Sequence, residues 1–309
     1  MTDLDPRDSR LPARIRELAA PCRGLSVAGD PSSLFEGIRV GIIGSRHPRD
    51  DAATHARRIA GDAAALGFHV VSGLAIGVDG IAHRAAIDAG GRTIAVLASG
   101  LERIHPVSHR DLARRIAGST SPMGVRAGIG QGSAGCVVTE YGAGDEAAYP
   151  HRFRERNRII AALSDYLVVI QAAPTSGSMI TAREALDLSV PIGIVPSGPT
   201  DPEYEGSIGL VRDGADCVVD GASLCWRLEV HGIVPPGFAR SQSERAAGRQ
   251  LRLIEDHPLA GILVVPRLTE DVAELAGLDL TATRRLLTEL EDEGLIVCRS
   301  DGLWISAQP

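Results

Sequence analysis

The sequence predicts an α/β fold, with a Rossmann-like, mostly parallel sheet that carries helices on both faces, plus a small C-terminal winged-helix domain. From residue 38 onward, short apolar β-branched runs alternate with longer runs of helical period, which is the pattern of successive βαβ units. Residues 250–309 instead show three helical stretches and then two strands joined by a tight turn, the order of a winged helix-turn-helix. A chain of 309 residues with 44% hydrophobic content is long enough for both domains.

The predicted elements follow each other in a regular order. Strands are predicted at residues 39–43, 69–72, 93–97, 136–139, 167–171, 192–195 and 217–219. Helices are predicted at residues 52–66, 79–89, 109–117, 156–163 and 179–188. The Gly/Ser-rich residues 118–135 have little periodicity and are interpreted as a loop.

Composition divides the chain into four segments. Residues 1–37 are a lead segment, 38–226 the Rossmann-like domain, 227–249 a linker that contains Pro235-Pro236-Gly237, and 250–309 the winged-helix domain. The net charge is −7, and residues 250–309 account for most of it, with five arginines against eleven acidic residues. The first domain is therefore able to carry a local basic surface.

Several classes of function are excluded by residue type. The 32 basic residues are all arginine, so the chain has no Schiff-base lysine and no Walker-A loop. No G-x-S-x-G motif is present, and no cluster of His, Asp and Glu has metal-ligand spacing. We therefore predict no catalytic residue, no metal and no cofactor. The five cysteines are scattered, and no apolar run approaches the length of a membrane span, which indicates a cytoplasmic protein.

The first strand-to-helix turn reads Gly44-Ser45-Arg46. Backbone N–H groups at such a turn can face an anion, and Arg46 adds a forked donor. The turn lacks the G-x-G-x-x-G pattern of a nicotinamide site, and the one such pattern, at residues 130–135, precedes a strand instead of following one. An anion-binding turn and a purely structural tight turn both remain open.

The second turn contains Gly73 and Gly77, which permit close approach of the backbone to a ligand. Asp79 is interpreted as the N-cap of the following helix, with His83, four residues on, as its hydrogen-bond partner. A metal or acid–base pair is the less favoured interpretation of these two residues.

The densest basic run comprises His151, Arg152, Arg154, Arg156 and Arg158, at the start of a helix. The helix dipole disfavours cations at that end, so an anionic ligand is the better explanation, and a surface ion-pair network is the alternative. Asn157, between two arginines, is placed to hold the turn or to contact a sugar or base.

A second phosphate cradle is predicted at Ser176-Gly177-Ser178 and Thr181, where hydroxyls and N–H groups gather at another helix start. Capping of the helix explains only one of these hydroxyl groups. The two cradles are expected to lie side by side, because strand ends and helix starts meet at one edge of a parallel sheet.

Taken in order, these motifs resemble the DNA-processing protein A family, also called DprA or Smf. The resemblance rests on Gly44-Ser45-Arg46, Ser72-Gly73-Leu74-Ala75 with Gly77 and Asp79, Ala82-His83, Ile94-Ala95-Val96-Leu97 with Gly100-Leu101, Arg156-Asn157-Arg158-Ile159-Ile160-Ala161, and Ser176-Gly177-Ser178 with Thr181-Ala182. It covers residues 25–220 and, more loosely, the C-terminal domain.

The resemblance implies a protein that binds and protects single-stranded DNA without chemistry, acts in natural transformation or homologous recombination, and helps to load a RecA-type recombinase. It also implies a homodimer. The DNA-binding residues would be Ser45, Arg46, Gly73, Gly77, Phe153 as the base-stacking ring, Arg156, Asn157, Arg158, Ser176, Gly177, Ser178 and Thr181. The dimer residues would be Ser207, Ile208, Leu210 and Val211.

The chain departs from the family pattern at a few positions. Ile76 stands where an Arg is usual, Gln171 where a Glu is usual, and Ile208 where an Asn is usual. Two other functions remain open. One is a nucleotide-binding enzyme of the phosphoribohydrolase type, with Glu184 near the hydroxyl-rich turn, and the other is a nucleotide-sensing module of phage defence.

Overall fold

The computed structural model describes residues 2–119, 134–142, 149–197, 201–238, 262–263, 267–292, 296–298 and 303–306. The chain forms two units, Met1–Pro236 and Gly237–Pro309. Most of the predicted loop at 118–135, the end of the predicted linker, and the first predicted helix of the C-terminal domain lie outside the described residues.

The first unit alternates strands and helices along the chain. Its elements are β1 (Thr2–Leu4), α1 (Arg14–Glu17), β2 (Leu25–Gly29), α2 (Ser32–Phe35), β3 (Arg39–Ile43), α3 (Asp50–Ala65), β4 (His69–Ser72), α4 (Val78–Asp88), β5 (Thr93–Leu97), α5 (Arg110–Ala117), β6 (Gly135–Thr139), α6 (Pro150–Leu163), β7 (Tyr166–Val169), α7 (Gly177–Asp187), β8 (Ile192–Ile194), α8 (Glu205–Arg212), β9 (Asp216–Cys217) and α9 (Gly221–Val230). Every predicted strand begins within one residue of its observed start. Helix α6 begins six residues earlier than expected, because Pro150 occupies one of its first positions, where a missing N–H does no harm.

Within the described residues the main sheet has nine strands, in the order β1-β2-β6-β5-β4-β3-β7-β8-β9. The seven strands from β6 to β9 in this order are mutually parallel, whereas β2 is antiparallel to β6 and β1 to β2. The fold class is thus confirmed. Residues Leu25–Gly29 of the lead segment belong to the sheet, because they pair with β6.

The strand order reverses between β3 and β7. From β3 the chain moves outward in one direction through β4, β5 and β6, and it then returns to place β7, β8 and β9 on the other side. Successive right-handed crossovers on the two sides put their helices on opposite faces, which leaves a crevice at the carboxyl ends of β3 and β7. Open α/β sheets bind their ligands at such a crevice.

The core explains why these segments form a parallel sheet. All four residues of β7 are fully buried, as expected for a central strand that is covered on both faces. Helix α3 buries Ala52, Ala56, Ile59, Ala60 and Ala63, a stripe at helical spacing made mainly of small residues. That stripe lets α3 pack closely on α4, the helix next to it in sequence.

The described part of the second unit contains α10 (Thr269–Ala276), α11 (Leu280–Asp292) and the antiparallel pair β10 (Ile296–Cys298) and β11 (Trp304–Ser306). Gly277, with φ of +67°, ends α10 in the left-handed conformation that glycine adopts freely. Leu263, Val272, Leu287 and Ile296 belong to a small core of this unit. Helix, helix and hairpin follow in the order that a winged helix requires, and that assignment stays a prediction.

A search of the helices in the described residues finds none with the length and hydropathy needed to span a membrane.

Candidate nucleic-acid interface

A cavity of about 650 Å³ opens at the crevice between β3 and β7. Its walls come from the turn after β3, the first half of α6, and the turn that leads into α7. Nine of the twelve predicted DNA-binding residues line it, namely Ser45, Arg46, Phe153, Arg156, Asn157, Ser176, Gly177, Ser178 and Thr181. Gly73, Gly77 and Arg158 are not among the described residues that line it.

Arg46 and Phe153 face each other at the cavity. The guanidinium carbon of Arg46 lies 5.4 Å from the centroid of the Phe153 ring, and the Arg46 side chain is exposed. Arg46 makes no hydrogen bond or ion pair with any residue that the structure describes, so its donors remain available to an anion. The Phe153 ring also meets His105 in an edge geometry, with 5.7 Å between the ring centroids.

Arg154 also lines the cavity, is exposed, and makes no ion pair with the described residues. We had placed it in the basic run but not among the DNA-binding residues. Once α6 starts at Pro150, the cavity residues Pro150, Phe153, Arg154 and Asn157 fall on one helical face, at spacing i, i+3, i+4 and i+7. The proline was therefore the signal that would have identified Arg154 from the sequence.

The opposite wall is the start of α7. Asn157 Nδ2 donates to the carbonyl of Gly177 at 3.2 Å, which ties α6 to this turn. Ser176 is the N-cap residue by position, but its hydroxyl pairs with the Ser178 hydroxyl at 3.0 Å and makes no capping bond with any described residue. Hydroxyls and the positive end of the α7 dipole therefore face the cavity together, an arrangement suited to an anion.

Arg156 touches the cavity from within the protein. It is 4% exposed, and its Nη1 donates to the carbonyl of Val96 at 2.6 Å and to that of Gly73. Burial lowers the pKa of Arg156 to about 10, although nearby Asp79 acts in the opposite direction. A Cβ atom on Gly73 would overlap this guanidinium, so Gly73 makes room for Arg156 and not, as we had expected, for a ligand.

Asp79 holds the loop after β4. Its carboxylate accepts hydrogen bonds from the N–H groups of Gly73 at 3.1 Å and Ala75 at 3.3 Å. Burial raises the pKa of this carboxyl, while Arg156 and the loop N–H groups oppose the shift. The expectation that Asp79 caps α4 and pairs with His83 is wrong, because Gly77 is the N-cap and His83 bonds the Thr93 hydroxyl at 2.6 Å.

Gly77 packs against the backbone of the Ser45–Arg46 turn. Its φ of +79° suits glycine, and a Cβ atom there would lie 2.6 Å from the Arg46 carbonyl oxygen and would overlap that of Ser45. The next residue, Val78, donates its N–H to the Ser45 carbonyl at 3.1 Å. The loop after β4 thus shapes the turn after β3, and its Ala75 also lines the cavity.

Arg158 forms a buried ion pair. Its Nη2 lies 2.6 Å from Glu140 Oε2, and both side chains are at most 9% exposed. The second oxygen of Glu140 accepts the N–H of Arg23 at 2.9 Å. Glu140 follows β6 and stands 18 positions from Arg158, so no helical spacing linked the two. The pair makes Arg158 a part of the core and not of the cavity.

The four predicted dimer residues differ in exposure. Ser207 and Leu210 are buried, and the Ser207 hydroxyl donates to the carbonyl of Tyr204 at 2.9 Å. Ile208 is half-buried and Val211 is 43% exposed. Of these four residues, Ile208 and Val211 are therefore the accessible ones on α8.

Among the described residues, no group of three or more His, Cys, Asp or Glu side chains is arranged to hold a metal ion. The cavity described above offers guanidinium, hydroxyl and backbone donors, and the carboxylates of Asp79 and Glu203 also line it.

Comparison with known proteins gives a consistent set of matches. Residues 4–229 match the family model described as DNA recombination-mediator protein A. The Smf protein of Synechocystis is 36% identical over 75% of this chain and 54% of its own length, and the DNA processing protein DprA of Bacillus subtilis is 32% identical over 67% of this chain and 64% of its own length. The chain thus spans between half and two thirds of these relatives.

Two solved structures have the same fold. DprA of Streptococcus pneumoniae superimposes with a TM-score of 0.63 at 28% identity, covering 72% of this chain and 73% of that one. DprA of Helicobacter pylori, whose structure describes a single-stranded DNA binding mode, gives a TM-score of 0.62 at 28% identity and covers 74% of this chain and 94% of that one.

Proposed function

Because the chain belongs to the DNA recombination-mediator protein A family, we propose that it binds single-stranded DNA in the cavity between β3 and β7 and catalyses no reaction on it. The observation that carries the proposal is that exposed Arg46 and Arg154, the Phe153 ring and the start of α7 line one cavity. These groups match two parts of a flexible polyanion: guanidinium and helix dipole for the phosphates, and a ring for a base.

The shape of the site favours a single strand over a duplex. A flexible strand can bend a phosphate into the crevice and stack a base on Phe153, whereas duplex DNA is stiff over tens of base pairs. The binding energy would come mainly from phosphate contacts and would therefore fall steeply with salt. In this proposal no bond of the DNA is made or broken.

The biological role follows from this binding. The protein would protect incoming or recombining single strands in the cytoplasm and help to load a RecA-type recombinase, in natural transformation or homologous recombination. It would act as a homodimer through the accessible part of α8, where Val211 exposes an apolar side chain. These roles accord with the family and with the H. pylori relative that binds single-stranded DNA.

The enzymatic alternative has less support. A phosphoribohydrolase would need its acid beside the ligand, and Glu184 is not among the described residues that line the cavity. Asp79 and Glu203 do line it, but both loop N–H groups and Arg156 hold the Asp79 carboxylate, and the Gln171 amide donates to that of Glu203. Incubation with nucleoside monophosphates should release no free base, and release would favour the enzyme.

The proposal is tested by comparing single- and double-stranded oligonucleotides by fluorescence anisotropy at several salt concentrations. The single strand should bind more tightly, with an affinity that falls as salt rises. Arg46→Ala should lower the affinity roughly tenfold, because a charged hydrogen bond is lost, and should flatten the log–log salt slope by roughly 0.7, the contribution of one phosphate on a single strand.

Arg57→Ala is the matched control. Arg57 is an exposed arginine on α3 that does not line the cavity, so its removal changes the net charge equally but should leave affinity and slope nearly unchanged. Equal losses in both variants would show a general charge effect and no specific site. Equal affinity for single and double strands would contradict the proposed function.

A further inference from the structure

An acidic side chain shares the cavity with the groups proposed to bind phosphate. Glu203 precedes α8 and lines the same cavity as Arg46 and Ser176. Its carboxylate accepts a hydrogen bond from the Gln171 side-chain amide and forms no ion pair with any residue in the described part of the chain. A carboxylate without a cation in a phosphate-binding cavity would repel the ligand unless it contacts a different part of it.

Gln171 determines where the Glu203 carboxylate lies. It follows β7 at the crevice, is 1% exposed, and its Oε1 accepts the backbone N–H of Arg49 at 3.1 Å. Because Gln171 Oε1 accepts the Arg49 N–H, the NH₂ group of the amide points toward Glu203. The opposite orientation of the amide would lose the hydrogen bonds to Arg49 and to Glu203. The orientation of Gln171 therefore makes it a donor toward Glu203.

A second contact anchors the same loop. Arg49 Nη1 pairs with Asp201 at 2.7 Å, and Asp201 Oδ1 accepts the backbone N–H of Glu203 at 3.1 Å. The segment before α8 is thus held to the turn after β3 directly by the Arg49 side chain on Asp201, and through Gln171 by the Arg49 backbone N–H. Gln171 uses one donor on the carboxylate, which leaves further acceptor positions of Glu203 unused.

The two oxygens of the Glu203 carboxylate can accept hydrogen bonds from two adjacent donors on a ligand. A phosphate has none, so it is repelled, whereas the pairing edge of an unstacked base carries N–H groups. Guanine alone presents two of them side by side, N1–H and the N2 amino group, which fit the two oxygens of one carboxylate. Adenine and cytosine place an acceptor nitrogen beside their amino group, and thymine places its N–H between two carbonyls.

From this chemistry we propose that Glu203, positioned by Gln171, recognises guanine in the strand that the cavity binds. The inference rests on the proposed function and adds a base preference to it. Phosphate contacts belong to α6, α7 and the turn after β3, and the base contact belongs to the loop before α8. One cavity thereby has separate positions for the two parts of a nucleotide.

The test uses short thymine strands in which alternate thymines are replaced by guanine, hypoxanthine, adenine or cytosine, in lithium salt to prevent quadruplex formation. The unmodified protein should bind the guanine strand roughly tenfold more tightly than the adenine, cytosine and all-thymine strands, the discrimination that a two-bond contact supplies. Hypoxanthine, which keeps N1–H but lacks the N2 amino group, should bind with intermediate affinity.

Three variants locate the preference. Glu203→Gln should remove it while leaving the all-thymine strand bound at least as well, because a negative charge leaves the cavity. Gln171→Glu should also remove it, because two carboxylates would then face each other. Glu205→Gln makes the same charge change at an exposed position of α8 that does not line the cavity, and it should keep the preference.

Two results would overturn the inference. One is equal binding of all strands by the unmodified protein, which leaves the proposed function intact. The other is a Glu203→Gln variant that weakens every strand alike, which indicates a structural role for Glu203. Failure of every strand to bind would instead overturn the proposed function, and the base preference with it.

Discussion

Three arginines of α6, at positions 154, 156 and 158, have two different roles although they lie within five residues of one another. Arg154 is exposed and lines the cavity, whereas Arg156 and Arg158 are buried. A buried cation is tolerated only with partners, and these two have backbone carbonyls and Glu140 respectively. The interpretation of the whole run as a phosphate-binding surface is therefore too broad, and the buried members shape the protein that carries the exposed ones.

A pair of substitutions separates the two roles. Arg158→Ala should lower the free energy of unfolding by about 3 kcal/mol, because Glu140 would be left as a buried, unpaired charge, and should leave the affinity of the folded protein for DNA unchanged. Arg154→Ala should change stability by at most about 0.5 kcal/mol, as usual for an exposed residue, and should weaken DNA binding.

Urea unfolding and fluorescence anisotropy on both variants make this comparison. If Arg158→Ala instead lowered the DNA affinity and flattened its salt dependence without lowering stability, Arg158 would contact DNA, as the sequence predicts.

At the scale of elements, the turn after β3 depends on the loop after β4. Gly77 lies against the carbonyls of Ser45 and Arg46, and Val78 donates to Ser45. That loop is held in turn by Asp79 and by Arg156, which reaches the ends of β4 and β5 from α6. Residues outside the Ser45–Arg46 turn therefore decide where Arg46 stands.

Gly77→Ala tests this support. The new methyl group would displace the Ser45–Arg46 turn, so both stability and single-strand affinity should fall. Gly67→Ala is the matched control, because Gly67 also has a positive φ, +84°, but has open space around its Cβ position. The control should lose about 1 kcal/mol of stability from backbone strain and should bind DNA normally.

Circular dichroism melting and anisotropy measure the two effects. Normal affinity in Gly77→Ala would show that the turn can move without harm to binding, and the proposed support would then be wrong.

At the scale of the whole molecule, the described walls of the cavity come from the first unit. The topological switch between β3 and β7 creates the crevice, and every described residue that lines it precedes Gly237. The second unit differs in charge, since residues 250–309 carry five arginines against eleven acids. In helix α11, Arg285 pairs with Glu289 at 3.0 Å. An acidic unit is poorly suited to a second polyanion contact.

A chain that ends at Pro236 should therefore keep its single-strand affinity and salt slope, provided that its circular dichroism shows a folded α/β domain. In the full chain, the double substitution Arg284→Ala and Arg285→Ala should likewise leave binding unchanged. Loss of single-strand binding in either protein would assign a DNA contact to the second unit.

The sequence alone predicts the strands, the helices and the position of the basic and hydroxyl-rich turns. It does so because the periodicity of hydrophobic residues, 2 in strands and 3.6 in helices, follows from which face of each segment is buried. The parallel sheet then brings Ser45, Arg46 and Ser176–Ser178 to one edge, as expected. Contacts between residues that are distant in sequence have no such periodic pattern. Glu140 neutralises Arg158, Gly73 and Val96 engage Arg156, and Glu203 joins the cavity through Gln171. Only the tertiary structure decides those partners, because it brings side chains that are distant in sequence into contact.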